Sequence, residues 1–423
     1  MISAHPVCAA PAAAHSRFSS RSVHACRLCE GTRLEKFLSL PALPLAGLPV
    51  ADQAGVETYP LHAYQCTECG LVQLTDIISP DVYADYLYTP SHAAGFRDYV
   101  DELAGTLVGA YGVGRVVEVG SSDGQFLRAC QMRGCAVLGF EPAKRLAAQA
   151  QAAGVPTLDA YFTRANVHHI PLDFGRASFV VIRHVMEHLP DFTDVLGAVS
   201  AALDPRRGVL VIEVPYLGNI VDEGQFYAFF HEHLQYFSLQ AMEQILRRNG
   251  FTVIAAKKVF PEGGSMLVYA TPFESELARP LSAEVRAAFA GDEKLARGET
   301  MRAFGASFAA YVANFKAFVH RARADGQRLA AWGAGQRGIS LLNLCEFGPE
   351  DFAYIIDVNP GYHGLRTPGS NIPIVGPEQL RRQTVDGVIV FASGYLDSIR
   401  AEHGHFEAGG GRFARIVPEL AWI

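Results

Sequence analysis

A chain of 423 residues exceeds what one hydrophobic core serves, so two or three domains are expected. Apolar residues make up 49% and charged residues 19%, a globular balance without the signature of a disordered tail. The net charge of −7, with no Lys/Arg block, argues against nucleic acid as main partner, and no apolar run reaches the roughly eighteen residues of a membrane span.

Residues 1–24 are rich in Ala, Ser and His and lack an apolar core long enough for a secretory signal; they read as a disordered leader or a misplaced start. Next come Cys26-Arg-Leu-Cys29 and Cys66-Thr-Glu-Cys69, two CxxC knuckles separated by 36 residues. Each knuckle wraps two thiolates around one ion, and two complete a closed tetrahedral zinc site. Four thiolates leave no open coordination position, so the zinc is expected to be structural, stapling a lobe (25–78) too small to fold alone. The remaining Cys8, Cys130, Cys135 and Cys345 have no partner by spacing, and this cysteine usage fits the cytoplasm.

From Val116 to about Leu217, short apolar runs alternate with helical patterns: Val116–Val119, Val137–Phe140, Ser178–Ile182 and Val209–Val214 read as strands of a parallel sheet covered on both faces. The first run ends in a turn at Gly120, Ser121, Asp123 and Gly124 and opens a helix at Phe126. Glycine there lets the chain bend sharply and exposes peptide groups to a ligand. The second strand delivers Glu141-Pro142 about twenty residues later, an offset that suits hydrogen bonding to a ribose diol. The Gly-x-x-x-Gly spacing, led by Glu118, is not that of dinucleotide enzymes, and the loop has no lysine to grip a triphosphate. It resembles the first motif of class I S-adenosylmethionine (SAM) methyltransferases. Arg183-His184-Val-Met-Glu-His188 and Glu213-Val-Pro215 sit at other strand ends, where open sheets bind ligands.

The segment Phe230-His-Glu-His-Leu-Gln-Tyr-Phe-Ser238 carries the densest chemistry. In extended backbone His231 and His233 share a face with Glu232 opposite. Ser238 caps a helix with apolar face Leu239, Met242, Ile245 and Leu246, closed by Gly250. The helix amino end would keep a nearby imidazole neutral, as a general base requires. A metal site at the His-x-His pair and satisfied structural histidines are the competing readings. Farther on, strands around 251–260 and 265–271 bracket Pro261-Glu-Gly-Gly264. A long helical stretch from about 281 to 325 leads to a second α/β unit, beginning at Gly333-Ala-Gly335 and continuing through Asp357 and Val388–Phe391. That glycine turn reads equally as a nucleotide contact or as packing.

From about Cys26 to its carboxyl end the chain resembles the sugar C-methyltransferases that act on nucleotide-linked 4-keto deoxysugars. The resemblance rests on motif order: the CxxC pair with Cys69-Gly-Leu-Val-Gln-Leu74, the cluster Tyr83, Tyr86 and Tyr88, and the glycine turn. Arg183-His-x-x-Glu-His188, the His-Glu-His run, Gly263-Gly-Ser265, Gly333-Ala-Gly-x-x-Gly338, Asp357-x-Asn-Pro360 and Pro368-Gly-x-x-Ile-Pro-Ile374 follow. It implies an α/β fold: a class I SAM methyltransferase Rossmann-like domain (79–250) between the four-cysteine zinc lobe and a second Rossmann-like substrate domain (251–423). It further implies a base that removes a proton next to a ketone, after which the enolate carbon takes the methyl group of SAM. Carried over by position, His233 is the base and Glu232 its polar neighbour, with His188 and Tyr86 or Tyr88 near the ketone. Glu118, Gly120, Ser121, Asp123, Gly124, Glu141, Pro142, Arg183 and His184 form the SAM site, and Cys26, Cys29, Cys66 and Cys69 hold zinc.

Two departures bear on the substrate. Phe230 stands where the family commonly has tyrosine, so a phenolic donor is missing there, and Tyr227, Tyr236 or the tyrosine cluster becomes the candidate. Arg337 stands for the family's lysine, keeping charge but changing geometry. Methylation of oxygen or of a non-sugar acceptor, and a non-catalytic SAM-fold binding protein, remain alternatives.

Overall fold

The computed structural model describes residues 20–79 and 94–423. Its largest sheet has seven strands in the spatial order Phe251–Val259, Ser265–Pro272, Val209–Pro215, Phe179–Arg183, Arg115–Val119, Ala136–Phe140 and Thr157–Leu158. Neighbours from Val209–Pro215 to Thr157–Leu158 run parallel, and Ser265–Pro272 is antiparallel to both of its neighbours. Alternate residues feed opposite layers. Val117, Val119, Ile182 and Ile212 join one core, and Val116, Val181 and Val211 the other. The strands' near-continuous apolar runs follow from that two-sided burial. This is the class I SAM methyltransferase fold. The expected boundary at 250 is corrected, since the hairpin 251–272 completes this sheet rather than opening the next domain.

The cysteine-bearing region forms a smaller antiparallel sheet of Leu34–Pro44, Thr58–Cys66 and Val72–Leu74. Its fourth strand, Gln235–Tyr236, comes from the methyltransferase portion and pairs Gln235 with Gln73 and Tyr236 with Val72. The chain just after the His-Glu-His run is therefore stitched into the cysteine lobe.

The expected long helix breaks into four, Ala283–Ala288, Asp292–Leu295, Gly298–Ala306 and Phe308–Ala324. Gly298–Ala306 crosses the cysteine lobe so closely that a Cβ on Gly305 would overlap the carbonyl of Phe37. Beyond them lies a six-stranded sheet, ordered Ile374–Val375, Ile355–Ile356, Leu329–Trp332, Gly387–Val390, Arg412–Arg415 and Ala421–Trp422, parallel except for the last pair. Strand order reverses between Leu329–Trp332 and Gly387–Val390, a second Rossmann-like switch point.

Candidate active site

The carboxyl ends of both parallel sheets face one cavity of about 830 Å³. On the methyltransferase side, Gly120 adopts φ 67°, a conformation that disfavours side chains, and a Cβ there would strike Val185. Glu141 latches the turn: its Oε2 accepts from the Ser122 amide and its Oε1 from the Ala143 amide, both at 2.8 Å. Burial raises its pKa while those amides oppose the rise. Each carboxylate oxygen has a second lone pair, so an acid in the cavity wall can hold the turn and still accept from a diol. Gly120, Ser121, Asp123, Glu141 and Pro142 all line the cavity, and the arrangement fits a nucleoside methyl donor.

Two expected donor contacts are corrected. Gly124 is not in the cavity wall; it precedes the helix Gln125–Gln131, where a Cβ would press on Ala150 and Val155. Glu118 also lies outside the wall. Its carboxylate, 1% exposed, meets Arg183 at 3.1 Å.

Arg183 and His184 do reach the wall, but carboxylates engage their polar atoms. The Arg183 guanidinium stands between Glu118 and Glu213 over the Phe126 ring. His184, at φ 52°, points Nε2 at Glu213 (3.3 Å) and Nδ1 at Glu187 (3.5 Å). Burial disfavours the imidazolium, but Glu213 and Glu187 outweigh it and raise the His184 pKa to about 10. Burial pushes Glu118 up to about 7 against the pull of Arg183. These residues form a charged floor to the cavity.

The His-Glu-His run is a turn, closed by the His233 amide donating to the Phe230 carbonyl at 3.0 Å, and not a strand. The expectation that His231 and His233 share a face is therefore corrected. His231 Nε2 donates to the Tyr59 carbonyl at 3.1 Å, away from the cavity, whereas His233 lines it. A chelating His231/His233 pair is excluded by this divergence; it is Glu187, His188 and His233 whose ligand atoms lie within 4.8 Å of one another. Glu232 turns toward the cysteine lobe and accepts from the Gly47 amide at 2.9 Å, outside the wall. Its contribution to the site is its carbonyl, which accepts from His188 Nδ1 at 2.6 Å and fixes that ring's tautomer.

Around His233, the Phe230 ring lies 4.0 Å away and the His188 ring 5.0 Å away between centroids. Burial, with the nearby charges of His188, Arg337 and His184, holds the His233 imidazole well below the usual 6.5. A neutral ring follows from this desolvation and not from the amino end of the helix Leu239–Arg248. That helix is capped as expected, the Ser238 hydroxyl accepting from the Ala241 amide. Tyr227 lines the cavity, while Tyr236 does not, its hydroxyl donating to the Ala228 carbonyl. Tyr86 and Tyr88 fall outside the described residues.

The opposite wall belongs to the carboxyl-terminal sheet. Asp357 repeats the Glu141 device: Oδ2 accepts from the Ala334 amide and Oδ1 from the Asn359 amide, both at 2.8 Å. Arg337 enters from the first turn of helix Gln336–Leu344 and donates through Nη1 to Gln225 Oε1 at 2.7 Å. Gln225 carries no motif, and only the folded contact reveals its part.

The four expected thiols converge. Cys26 and Cys69 Sγ lie 3.4 Å apart, Cys29 and Cys66 Sγ 3.5 Å, and all four sulfurs fall within 4.8 Å of one another. A tetrahedron with Zn–S near 2.3 Å has edges of about 3.8 Å, so the set fits one zinc ion with little movement.

Separate family models match three stretches: a zinc binding domain over 26–83, a methyltransferase domain over 92–256, and a C-methyltransferase C-terminal domain over 261–418. Across 407 residues the chain is 33% identical to C-methyltransferase NovU of Streptomyces niveus, covering 94% of this chain and 96% of that protein. The chain belongs to the C-methyltransferase family. It is a SAM-dependent methyltransferase with a structural zinc site in its amino-terminal lobe. Solved structures similar to part of it include the SAM-bound magnesium protoporphyrin IX methyltransferase of Synechocystis PCC 6803 (15% identity, 42% of this chain and 80% of that one, TM-score 0.32). Another is the 1,6-didemethyltoxoflavin-N1-methyltransferase of Burkholderia thailandensis (18% identity, 43% and 84%, TM-score 0.31). No helix among the described residues is long and apolar enough to cross a membrane.

Proposed function

We propose that this C-methyltransferase enolises a nucleotide-linked keto-deoxysugar with His233 as base and methylates the resulting carbon. The observation that carries the reading is a neutral, buried imidazole in the same cavity as the Gly120 turn and Glu141. His233 takes the proton from the carbon next to the ketone; the C–H electrons form the C=C bond, and the carbonyl electrons move onto oxygen. SAM supplies an electrophilic methyl group, and as the new C–C bond forms the S–CH₃ bond breaks to leave S-adenosylhomocysteine. His188, its Nδ1–H held by the Glu232 carbonyl, lines the same cavity with its ring 5.0 Å from that of His233. Gly120, Ser121, Asp123, Glu141 and Pro142 hold the donor, and Tyr227, which lines the cavity, is the candidate for the missing phenol.

The test is hydrogen exchange in D₂O with thymidine diphosphate 4-keto-6-deoxyglucose, without methyl donor. Wild type is expected to exchange the proton beside the ketone, and His233→Asn to lose at least about 100-fold in exchange and methylation. Calorimetry should find S-adenosylhomocysteine binding retained. Equal exchange in both proteins would remove His233 as base. Phe230 supports a second reading, methylation of oxygen or of a non-sugar acceptor. In that case the proton beside the ketone stays inert in wild type.

A further inference from the structure

Abstraction of a proton by a weakened base needs compensation at the other end of the reacting bond. Phe230, against the face of His233, offers no hydrogen to a developing oxyanion. Arg183 on the methyltransferase wall is committed to Glu118 and Glu213. Arg337 arrives at the same cavity from the opposite domain.

Its approach is built by three residues. Gln225 accepts from Arg337 Nη1 at 2.7 Å and donates through Nε2 to the Gly263 carbonyl at 2.9 Å and to Glu223 at 2.6 Å. Gly263, at φ 71°, lines the cavity, and a Cβ on it would sit 2.9 Å from Arg337 Nη1. The bare glycine thus admits the guanidinium, while Gln225 steadies one edge of it. The Gly263-Gly-Ser run, which donor binding leaves unexplained, acquires a reason.

We propose that Arg337 is a catalytic residue, stabilising the enolate oxygen formed when His233 removes the neighbouring proton. The inference rests on the enolisation proposed above and adds the group that receives its negative charge. A guanidinium presents several N–H donors in a plane and cannot lose its charge, so it meets the oxyanion without proton transfer. The same positive charge lowers the basicity of His233 and the energy of the enolate, so the two effects offset. The other titratable side chains beside His233 include His188, His184 and Tyr236, the last with ring centroids 6.2 Å apart, and Glu187 converges on the same point. The alternative role for Arg337 is a ligand to the substrate's pyrophosphate.

Exchange in D₂O separates them, with the same nucleotide sugar at saturating concentration and no methyl donor. Arg337→Met is expected to slow saturated exchange by about 100- to 1000-fold while changing the apparent Kd less than tenfold. Arg337→Lys should recover at least a tenfold part of that loss. The acid limb of the exchange profile should move to higher pH in Arg337→Met, because loss of a cation eases protonation of His233. S-adenosylhomocysteine calorimetry certifies folding, and should Arg337→Met misfold, Gln225→Ala must show the same slowing in smaller measure. A raised Kd with unchanged saturated exchange would overturn the inference and leave Arg337 a phosphate ligand. If His233→Asn exchanges normally while Arg337→Met does not, the base assignment falls and this one stands. A wild-type enzyme that does not exchange at all overturns both.

Discussion

Two histidines separated by one residue have opposite assignments here, and they can be told apart by what each loss does. His231 is buried with Nε2 tied to the Tyr59 carbonyl, so His231→Ala leaves that acceptor unpaired and opens a void. The expected cost is about 1–3 kcal/mol in denaturant unfolding, with kcat nearly unchanged at a temperature where the protein stays folded. His233→Asn should do the reverse, abolishing turnover with little change in stability. A His231→Ala enzyme that is fully stable but inactive would exchange the two roles. Sequence periodicity misplaced His231 because alternation assumes a strand, and the segment closes as a turn at the Phe230 carbonyl. Glu141 was legible from its offset after a glycine turn, and Asp357 from its place in the second α/β unit. Their use as latches on backbone amides was not, since the same spacing serves a ribose and a peptide group equally.

The strand Gln235–Tyr236 gives the zinc lobe a task beyond its own folding. The Leu74 amide and Arg27 Nη1 both donate to the Leu234 carbonyl, and the Gly47 amide donates to Glu232, so the turn that carries His233 is pinned from the cysteine side. Stripping the metal, or Cys69→Ser, is expected to lower kcat at least about 100-fold while donor affinity, proposed to rest on the Gly120 turn, changes less than tenfold. Zinc analysis paired with S-adenosylhomocysteine calorimetry checks this, and parallel loss of both functions would mean general unfolding instead. The CxxC pair was readable because thiolate spacing is local. Its coupling to residues 234–236 was hidden, because β pairing across such a separation leaves no local trace. The charged floor makes its own prediction. His184 has a folded pKa of about 10 against an ordinary 6.5, so its stabilising share is complete below 6.5 and lost as pH climbs to 10. Glu118, raised to about 7, acts in the same sense between 4.5 and 7. Thermal midpoints should fall from pH 7 to 10, and His184→Gln should flatten that fall; an equal slope in both proteins would refute the assignment.

The two parallel sheets face one another across a single cavity, so methyl transfer depends on how the domains are held, beyond what either contributes alone. Arg337 meets Gln225 on one side of the seam. On another, Phe260 from the hairpin of the first sheet stands edge-on to Tyr99 at 5.2 Å and to Tyr395 at 5.9 Å. Tyr395 lines the carboxyl-terminal wall, and the Phe260 carbonyl lies 3.2 Å from where a Cβ on Gly394 would be, so the two chains touch closely there. Phe260 is 42% exposed, too open to anchor a core, which makes it a test of domain placement separable from folding. An aromatic pair contributes about 0.5–1.5 kcal/mol, and of the two only Phe260–Tyr395 crosses the seam, so Phe260→Ala should release about that much interdomain contact. With the carboxyl-terminal wall less well placed, saturated exchange should slow and nucleotide-sugar affinity weaken together, by about 2- to 10-fold in combined kcat/KM. Binding of S-adenosylhomocysteine, proposed above to rest on the first sheet's turns, should be unchanged. If donor binding weakens as much as the sugar reaction does, Phe260 supports the methyltransferase sheet itself; if neither changes, the domains are fixed by the Gln225–Arg337 side of the seam.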